Sequence, residues 1–182
     1  MKKIARIRSG GQTGVDRAAL DAAREMGITI CGWCPKGGWA EDLPEPPGLL
    51  AEYPELVETK SANVMQRTEL NVRDSDATLI IVAGQQDISS GTALTIELAK
   101  QFRRPYFVAD AGRMTAKEIA KWLSTLGDDL TLNIAGPRES KSPGVYDKSY
   151  KLLIEFYQLL SARPGAEGGH TLECGSFKHE ED

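Results

Sequence analysis

The sequence predicts one doubly wound α/β domain, a mainly parallel sheet with helices on both faces, and three observations carry that prediction. Segments of strand and helix patterning alternate along the chain, the signature of βα units. The stretch Ala77-Thr78-Leu79-Ile80-Ile81-Val82-Ala83 is apolar nearly throughout, as a strand covered on both faces must be. The length, 182 residues, lies within the roughly 250 residues that a single core usually accommodates. The domain is assigned to residues 1–161. Residues 162–182, rich in Gly, Glu and His without periodicity, read as a flexible tail.

Taken in order, Lys3 to Arg8 alternates Ile4 and Ile7 with basic residues and reads as the first strand. Ala18, Leu20, Ala22, Ala23 and Met26 then recur at helical spacing until Gly27 stops them. Ile28 to Cys31 is the second predicted strand. From Trp33 to about Ser61 runs an irregular segment with five prolines, Pro35, Pro44, Pro46, Pro47 and Pro54. Its two tryptophans and scattered apolar residues predict an ordered excursion rather than a slack loop. Ala62 to Arg73 is the second helix, with Val64, Met65, Thr68 and Val72 inward. After the central strand, Gly84 to Ser89 is a loop, and Ser90-Gly91-Thr92 opens a helix through Phe102, capped by Ser90 or Thr92. Pro105 to Ala109 is a strand. Thr115 to Leu126 is a helix with Thr115 and Glu118 in capping-box spacing. Leu130 to Ala135 is the last strand and Val145 to Leu160 the last helix.

Composition excludes several functions. The net charge of −4 offers no basic footprint for nucleic acid. No apolar run approaches the roughly 20 residues that span a bilayer, and Met1 to Arg6 lacks the apolar core of a signal peptide, so the expected address is the cytoplasm. Three cysteines argue against a disulfide framework. Cys31 and Cys34 have C-x-x-C spacing, but a redox pair normally opens a helix, whereas Pro35-Lys36-Gly37-Gly38 reads as loop. No metal set is expected, since His170 and His179 both lie in the tail with Cys174. No histidine precedes residue 170, which leaves carboxylates as general bases: Asp16, Glu41, Asp42 and Glu97 sit in or near candidate loops.

In open α/β sheets the ligand sits beyond the carboxyl ends of the strands. Three polar, glycine-bearing loops leave such ends here, at Ser9 to Gly14, Gly84 to Thr92, and Gly136 to Gly144. A glycine-rich turn into a helix presents backbone N–H groups at the positive end of the helix dipole, a site for phosphate. Ser9, Gly10, Gly11, Thr13 and Gly14 would form one anion loop and Ser90, Gly91 and Thr92 a second. Arg138 and Ser140 would close the site, with Lys36 at its rim. Asp16, in the first helical turn, either complements the dipole or touches the ligand. Arg67, Asn71 and Asp76 either face this crevice or tie helix to loop. Trp33 and Trp39 are expected in the excursion's own small core.

These blocks together resemble one family. Ser9-Gly-Gly-Gln-Thr-Gly-Val-Asp-Arg17, Gly32-Trp-Cys-Pro-Lys-Gly37 with Ala40-Glu-Asp42, Arg67-Thr68 with Asn71-Val72 and Ser75-Asp-Ala-Thr-Leu79, Ser90-Gly-Thr92 with Thr95, and Gly136-Pro-Arg-Glu-Ser140 with Pro143-Gly-Val-Tyr146 look like the putative molybdenum carrier family, over about residues 3 to 160. The resemblance implies a Rossmann-like fold, a homo-oligomer (dimer or tetramer) and, as cargo, molybdenum cofactor, a phosphorylated pterin whose own sulfurs hold the metal. It also implies kinship with nucleotide-binding phosphoribohydrolases, whose P-G-G-x-G-T-x-x-E motif carries a catalytic glutamate. Thr95 stands at that position here, and a hydroxyl cannot stabilise oxocarbenium charge as a carboxylate does. Glu97 lies two residues on, about 200° round the helix. The expectation is therefore a binding protein for a phosphorylated heterocycle. The alternatives are an enzyme acting at an N-glycosidic bond through Asp16 or Glu97, or a nucleotide sensor without catalysis.

Overall fold

In the computed structural model, residues 3–84 and 90–162 are described, Ser90 by its backbone alone. The tail from 163 onward and residues 85–89 lie outside the described residues. The elements are β1 (Ile4–Arg8), α1 (Val15–Glu25), β2 (Thr29–Cys34), a 3-10 turn (Lys36–Gly38), α2 (Leu49–Glu52), β3 (Leu56–Glu58), α3 (Val64–Arg73), β4 (Ala77–Val82), α4 (Ser90–Gln101), β5 (Tyr106–Asp110), α5 (Ala116–Ser124), β6 (Leu130–Ala135) and α6 (Val145–Ser161). All strands join one parallel sheet in the order β3-β2-β1-β6-β4-β5.

Right-handed crossovers decide which helix covers which face. The steps from β1 to β2 and from β5 to β6 run one way across the sheet, so α1 and α5 share a face. The steps from β3 to β4 and from β4 to β5 run the other way and put α3 and α4 opposite. α6 packs on both α1 and α5, and α3 packs on α4. β4 is buried at every position and β6 at Leu130, Leu132, Asn133 and Ile134, as strands between two helical layers must be.

The last strand is the topological surprise. β6 lies between β1 and β4, the place that the first strand takes in an ordinary doubly wound sheet. Were the chain to start at β6, three strands would follow outward on one side and two on the other. The point where strand order reverses therefore lies between β6 and β4. The loops after β1 and β6 leave neighbouring strands side by side, with β4 on the other flank of β6; the predicted loop after β4 falls largely on residues 85–89, outside the described residues.

Several boundaries differ from expectation, each for a long-range reason. β2 runs on to Cys34 because Gly32, Trp33 and Cys34 pair with Leu56, Val57 and Glu58 of β3, a strand the sequence does not predict. Gly32 is required where it is, since a Cβ there would lie 1.9 Å from the Ser9 carbonyl oxygen. Cys31 and Cys34, three positions apart on an extended strand, point to opposite faces about 10 Å apart, too far for a disulfide. Both are free thiols, and burial pushes Cys34 up to about 11. The C-x-x-C motif is therefore part of the strand. The second predicted helix starts at Val64, after an Asn63 side chain that caps it by accepting from the Met65 N–H at 2.9 Å. Met65 is 55% exposed rather than inward. α4 already includes Ser90 and Thr92, so neither is its cap. The Thr115–Glu118 cap forms as predicted, the Glu118 carboxylate accepting from the Thr115 N–H and hydroxyl.

Asn71 completes the sheet where β1 has ended. Its amide accepts from the Trp33 N–H at 2.8 Å and donates to the Trp33 carbonyl at 2.9 Å, taking the place of a strand residue beyond Arg8. Asn71→Ala orphans both groups, and an unmet buried pair costs about 1–3 kcal/mol. The expected result in urea unfolding is a lower midpoint by that energy with an unchanged slope, which checks that only stability was altered.

Candidate functional site

A cleft of about 710 Å³ opens at the reversal point, lined by the loops after β1 and β6, one face of α3 and the first turns of α4. That volume lies inside the roughly 300–1,000 Å³ of small-molecule sites. Its floor holds an ion pair. Arg67 of α3 donates through Nη1 to Asp16 Oδ2 of α1 at 2.6 Å, with both side chains largely buried. The pair passes directly over Gly10, where an added Cβ would sit 1.8 Å from Arg67 Nη1. Asp16 thus serves as an acid in the first turn of α1 and also lines the cleft. Arg138 and Lys141 bring two further cations from the loop after β6, and Asn133 and Gln12 bring amides.

Beside the cleft, the first and third loops are laced together by a carboxylate from the excursion. Glu41 accepts from the Thr13 hydroxyl through Oε1, from the Ser140 hydroxyl at 2.6 Å and from the Ser140 N–H at 3.3 Å, with Arg138 Nη1 at 3.7 Å. Burial alone would raise its pKa, but the bonds from Ser140 and Thr13 and the nearby Arg138 outweigh that and hold it below the ordinary 4.5. Arg138 lies over the half-buried Trp39 ring, 5.7 Å from its centroid. Next to Glu41, Asp42 takes both ends of the Arg17 guanidinium at 3.0 and 3.1 Å. Glu139 closes the start of α6, accepting from the N–H groups of Gly144 and Tyr146.

The predicted residues divide accordingly. Gly10, Asp16, Gly91 and Arg138 line the cleft. Gly14 starts α1 at φ 76°, pressed against the Pro137 carbonyl, and Gly11 at φ 71° packs on Leu49 and Leu56. Thr13 and Ser140 grip Glu41 beside the cleft. Ser9 is fully buried and donates its hydroxyl to the Ile134 carbonyl at 2.8 Å, tying β1 to β6. Lys36 is exposed on the turn after β2 and is not part of the lining. Thr92 is buried in the first turn of α4 and the Ser90 side chain lies outside the described residues. Glu97 does line the cleft together with Thr95, because the cleft wraps round the first two turns of α4. The Thr95 hydroxyl itself donates back to the Gly91 carbonyl at 2.9 Å. Of the residues with two readings, Arg67 and Asn71 line the cleft and also tie α3 to Asp16 and to Trp33, whereas Asp76 ties β4 to β6 at the opposite end of the sheet by accepting from the Thr131 N–H. The Trp33 indole donates to Asp74 at 2.9 Å. Sequence reasoning missed Gln12, Asn133 and Lys141. Gln12 was legible inside the glycine loop and Lys141 beside Ser140, but the inward turn of Asn133 on β6 carries no local signal.

The displaced last strand has a counterpart in sequence. The sequence model of the circularly permutated YpsA SLOG family matches residues 7–157. The chain belongs to that family. The crystal structure of a Syntrophus aciditrophicus protein titled "putative molybdenum carrier protein" is 40% identical, covers 85% of this chain and 96% of that one, and superposes with a TM-score of 0.75. No curated protein matches the chain. The permutation is visible in the fold as the entry of β6 between β1 and β4, and in this family member it places the Gly136–Ser140 loop at the centre of the site.

Two outcomes follow from the electrostatics. Arg67→Ala leaves Asp16, 3% exposed, without its cation. Breaking a buried pair from one side costs about 3 kcal/mol or more, so chemical denaturation should show a loss well beyond that of Arg113→Ala, whose side chain is 77% exposed in its pair with Asp110. For Glu41 the folded-state pKa is depressed, so its contribution is present above the unfolded-state value and is lost as pH falls through the folded one. The urea midpoint of Glu41→Gln should therefore fall less steeply than that of the unaltered protein below about pH 4.5, and the two curves should converge in acid.

Proposed function

We propose that the protein binds and carries a small phosphorylated heterocycle in the reversal-point cleft, with molybdenum cofactor the leading cargo. The observation that carries this reading is the convergence of Arg138 and Lys141 on one cleft at the start of α4, above the Arg67–Asp16 pair of its floor. Cations and a helix N-terminus together favour a phosphate. Asn133 and Gln12 add amides on the same wall. The pterin's own dithiolene sulfurs hold molybdenum, so the protein's part is to supply shape, charge and hydrogen bonds. The carrier name of the Syntrophus aciditrophicus protein points the same way. A homo-oligomer in the cytoplasm belongs to this reading. No helix among the described residues is long and apolar enough to cross a membrane.

Glu97 on the cleft wall favours a second reading, hydrolysis of a nucleotide's N-glycosidic bond with that carboxylate replacing the missing glutamate at Thr95. The two separate in one preparation. Protein purified from cells that make molybdopterin should carry pterin, read as fluorescence after oxidation, and molybdenum close to one per chain. The double substitution Arg138→Ala and Lys141→Ala should lower both at least tenfold. An empty protein that turns over nucleoside monophosphates, and stops doing so as Glu97→Gln, would overturn the carrier reading. Binding of nucleotides without turnover would leave a sensor.

A further inference from the structure

Glu41 and Asp42 are the two central residues of a tight turn closed by reciprocal bonds between Ala40 and Leu43, N to O at 3.2 and 3.1 Å. The turn delivers two neighbouring carboxylates to two separate receptors. Asp42 meets Arg17. Glu41 meets a set made only of donors: two hydroxyls, one backbone N–H and a guanidinium, drawn from the loops after β1 and β6. Such a set is what phosphoryl oxygens require, and nothing in it selects a carboxylate. The Thr13 hydroxyl is already aimed, since it accepts from the Glu139 N–H at 3.2 Å and so must direct its own proton outward, to Glu41. Arg138 belongs at once to this set and to the cleft lining. The Glu41 side chain is 21% exposed and that of Arg138 32%, so solvent anions reach the pair.

We infer that Thr13, Ser140 and Arg138 form a phosphate subsite for which the Glu41 carboxylate is the chain's own occupant, displaced when the phosphate of a ligand enters. Two anions cannot share these donors, because like charges a few ångströms apart in a partly buried site repel strongly. Entry therefore frees the Glu41 side chain and loosens the turn, which keeps Asp42 on Arg17 and the Glu41 N–H on Gln12 Oε1. The depressed titration of Glu41 agrees with a set that prefers an anion. The exchange makes the turn a competitor: it lowers affinity for free phosphate while leaving room for a ligand whose ring also holds the cleft. This deepens the carrier reading and rests on it for the natural ligand. The test uses inorganic phosphate, so the two can fail separately.

Phosphate binding to the full chain is measured by calorimetry at ionic strength fixed with chloride, for the unaltered protein, Glu41→Ala, and Glu41→Ala combined with Ser140→Ala. Removing the internal anion should tighten phosphate binding at least tenfold, and removing Ser140 as well should cancel most of that gain. Unchanged affinity in Glu41→Ala overturns the inference, as does a gain that survives the loss of Ser140. A readout on the unaltered protein stands even if the variants fold poorly. Saturating phosphate, against matched chloride, should speed hydrogen exchange of the amides of Ala40, Glu41 and Leu43 several-fold, the Glu41 N–H being bonded to Gln12 Oε1 at 2.9 Å. Exchange that stays the same or slows overturns it. Failure here with pterin still bound would leave the cleft as the carrier site without this subsite.

Discussion

Insertion of β6 between β1 and β4 is the constraint from which the site follows. Neighbouring parallel strands lie about 4.8 Å apart, so the loops that leave them start almost in contact. An added Cβ at Gly14 would lie 2.5 Å from the Pro137 carbonyl, and one at Gly136 would lie 2.3 Å from the Ile81 carbonyl. Glycine is the residue that lets each loop pass its neighbour before its helix begins. The same crowding brings the positive ends of α1 and α6 side by side, where their dipoles and open N–H groups add. The chain answers each with a carboxylate of its own. Asp16 sits in the first turn of α1, and Glu139 accepts from the start of α6.

The excursion between β2 and α3 is bound into this arrangement rather than laid over it. Leu49, Tyr53 and Leu56 are buried in the common core. The Tyr53 hydroxyl donates to Asp21 Oδ1 at 2.5 Å while Tyr146 of α6 donates to Oδ2 of the same carboxylate at 2.8 Å. Asp21 thereby joins excursion, α1 and α6 at one point, and burial with that bond pushes both phenols well above their ordinary value. Arg24 adds a cation 4.6 Å from the centre of the Tyr53 ring. These anchors hold the excursion at its far end. The turn at Glu41 and Asp42, by contrast, is rooted in the core by Ala40, with Leu43 packed against it, while its two carboxylates are held by polar contacts, two of them to residues of the loop after β6. Rigidity at one end and exchangeable contacts at the other are what a responsive segment needs.

What the sequence made legible was local. The alternation of elements, the bounds of β6, the Thr115 cap and the glycine loops after β1 and β6 all rest on patterns within a few residues of one another, and the structure has them. Strand order was not legible, because nothing near Leu130–Ala135 says between which strands it will pair. β3 was hidden for a similar reason. It has three residues, two of them exposed, and exists because Gly32 to Cys34 offer it an edge. In the site, the chemistry of Thr13, Ser140 and Arg138 as anion binders could be read from residue type, whereas the anion they hold comes from Glu41, 28 residues from Thr13 and 99 from Ser140. Ser9 shows the converse. Its place in the glycine loop suggests a ligand contact, yet its hydroxyl is committed to Ile134 across the sheet.

The buried ion pair on the cleft floor then has a reason beyond stability, to which such pairs contribute little net. Paired with Asp16, Arg67 adds almost no net charge to the floor, but its guanidinium is fixed there by that pair. Charge is left to the rim. There Lys141 is exposed, Arg138 is partly offset by Glu41, and Glu97 faces them from α4. Long-range attraction at the rim and short-range hydrogen bonding at the floor are different physical tasks, since the first is screened by salt over about 10 Å and the second depends on angle and distance. A ligand with one anionic end and one polar, uncharged ring matches that division. A free anion would meet only the rim, and an uncharged ring only the floor, so each part alone would bind weakly and their covalent union strongly.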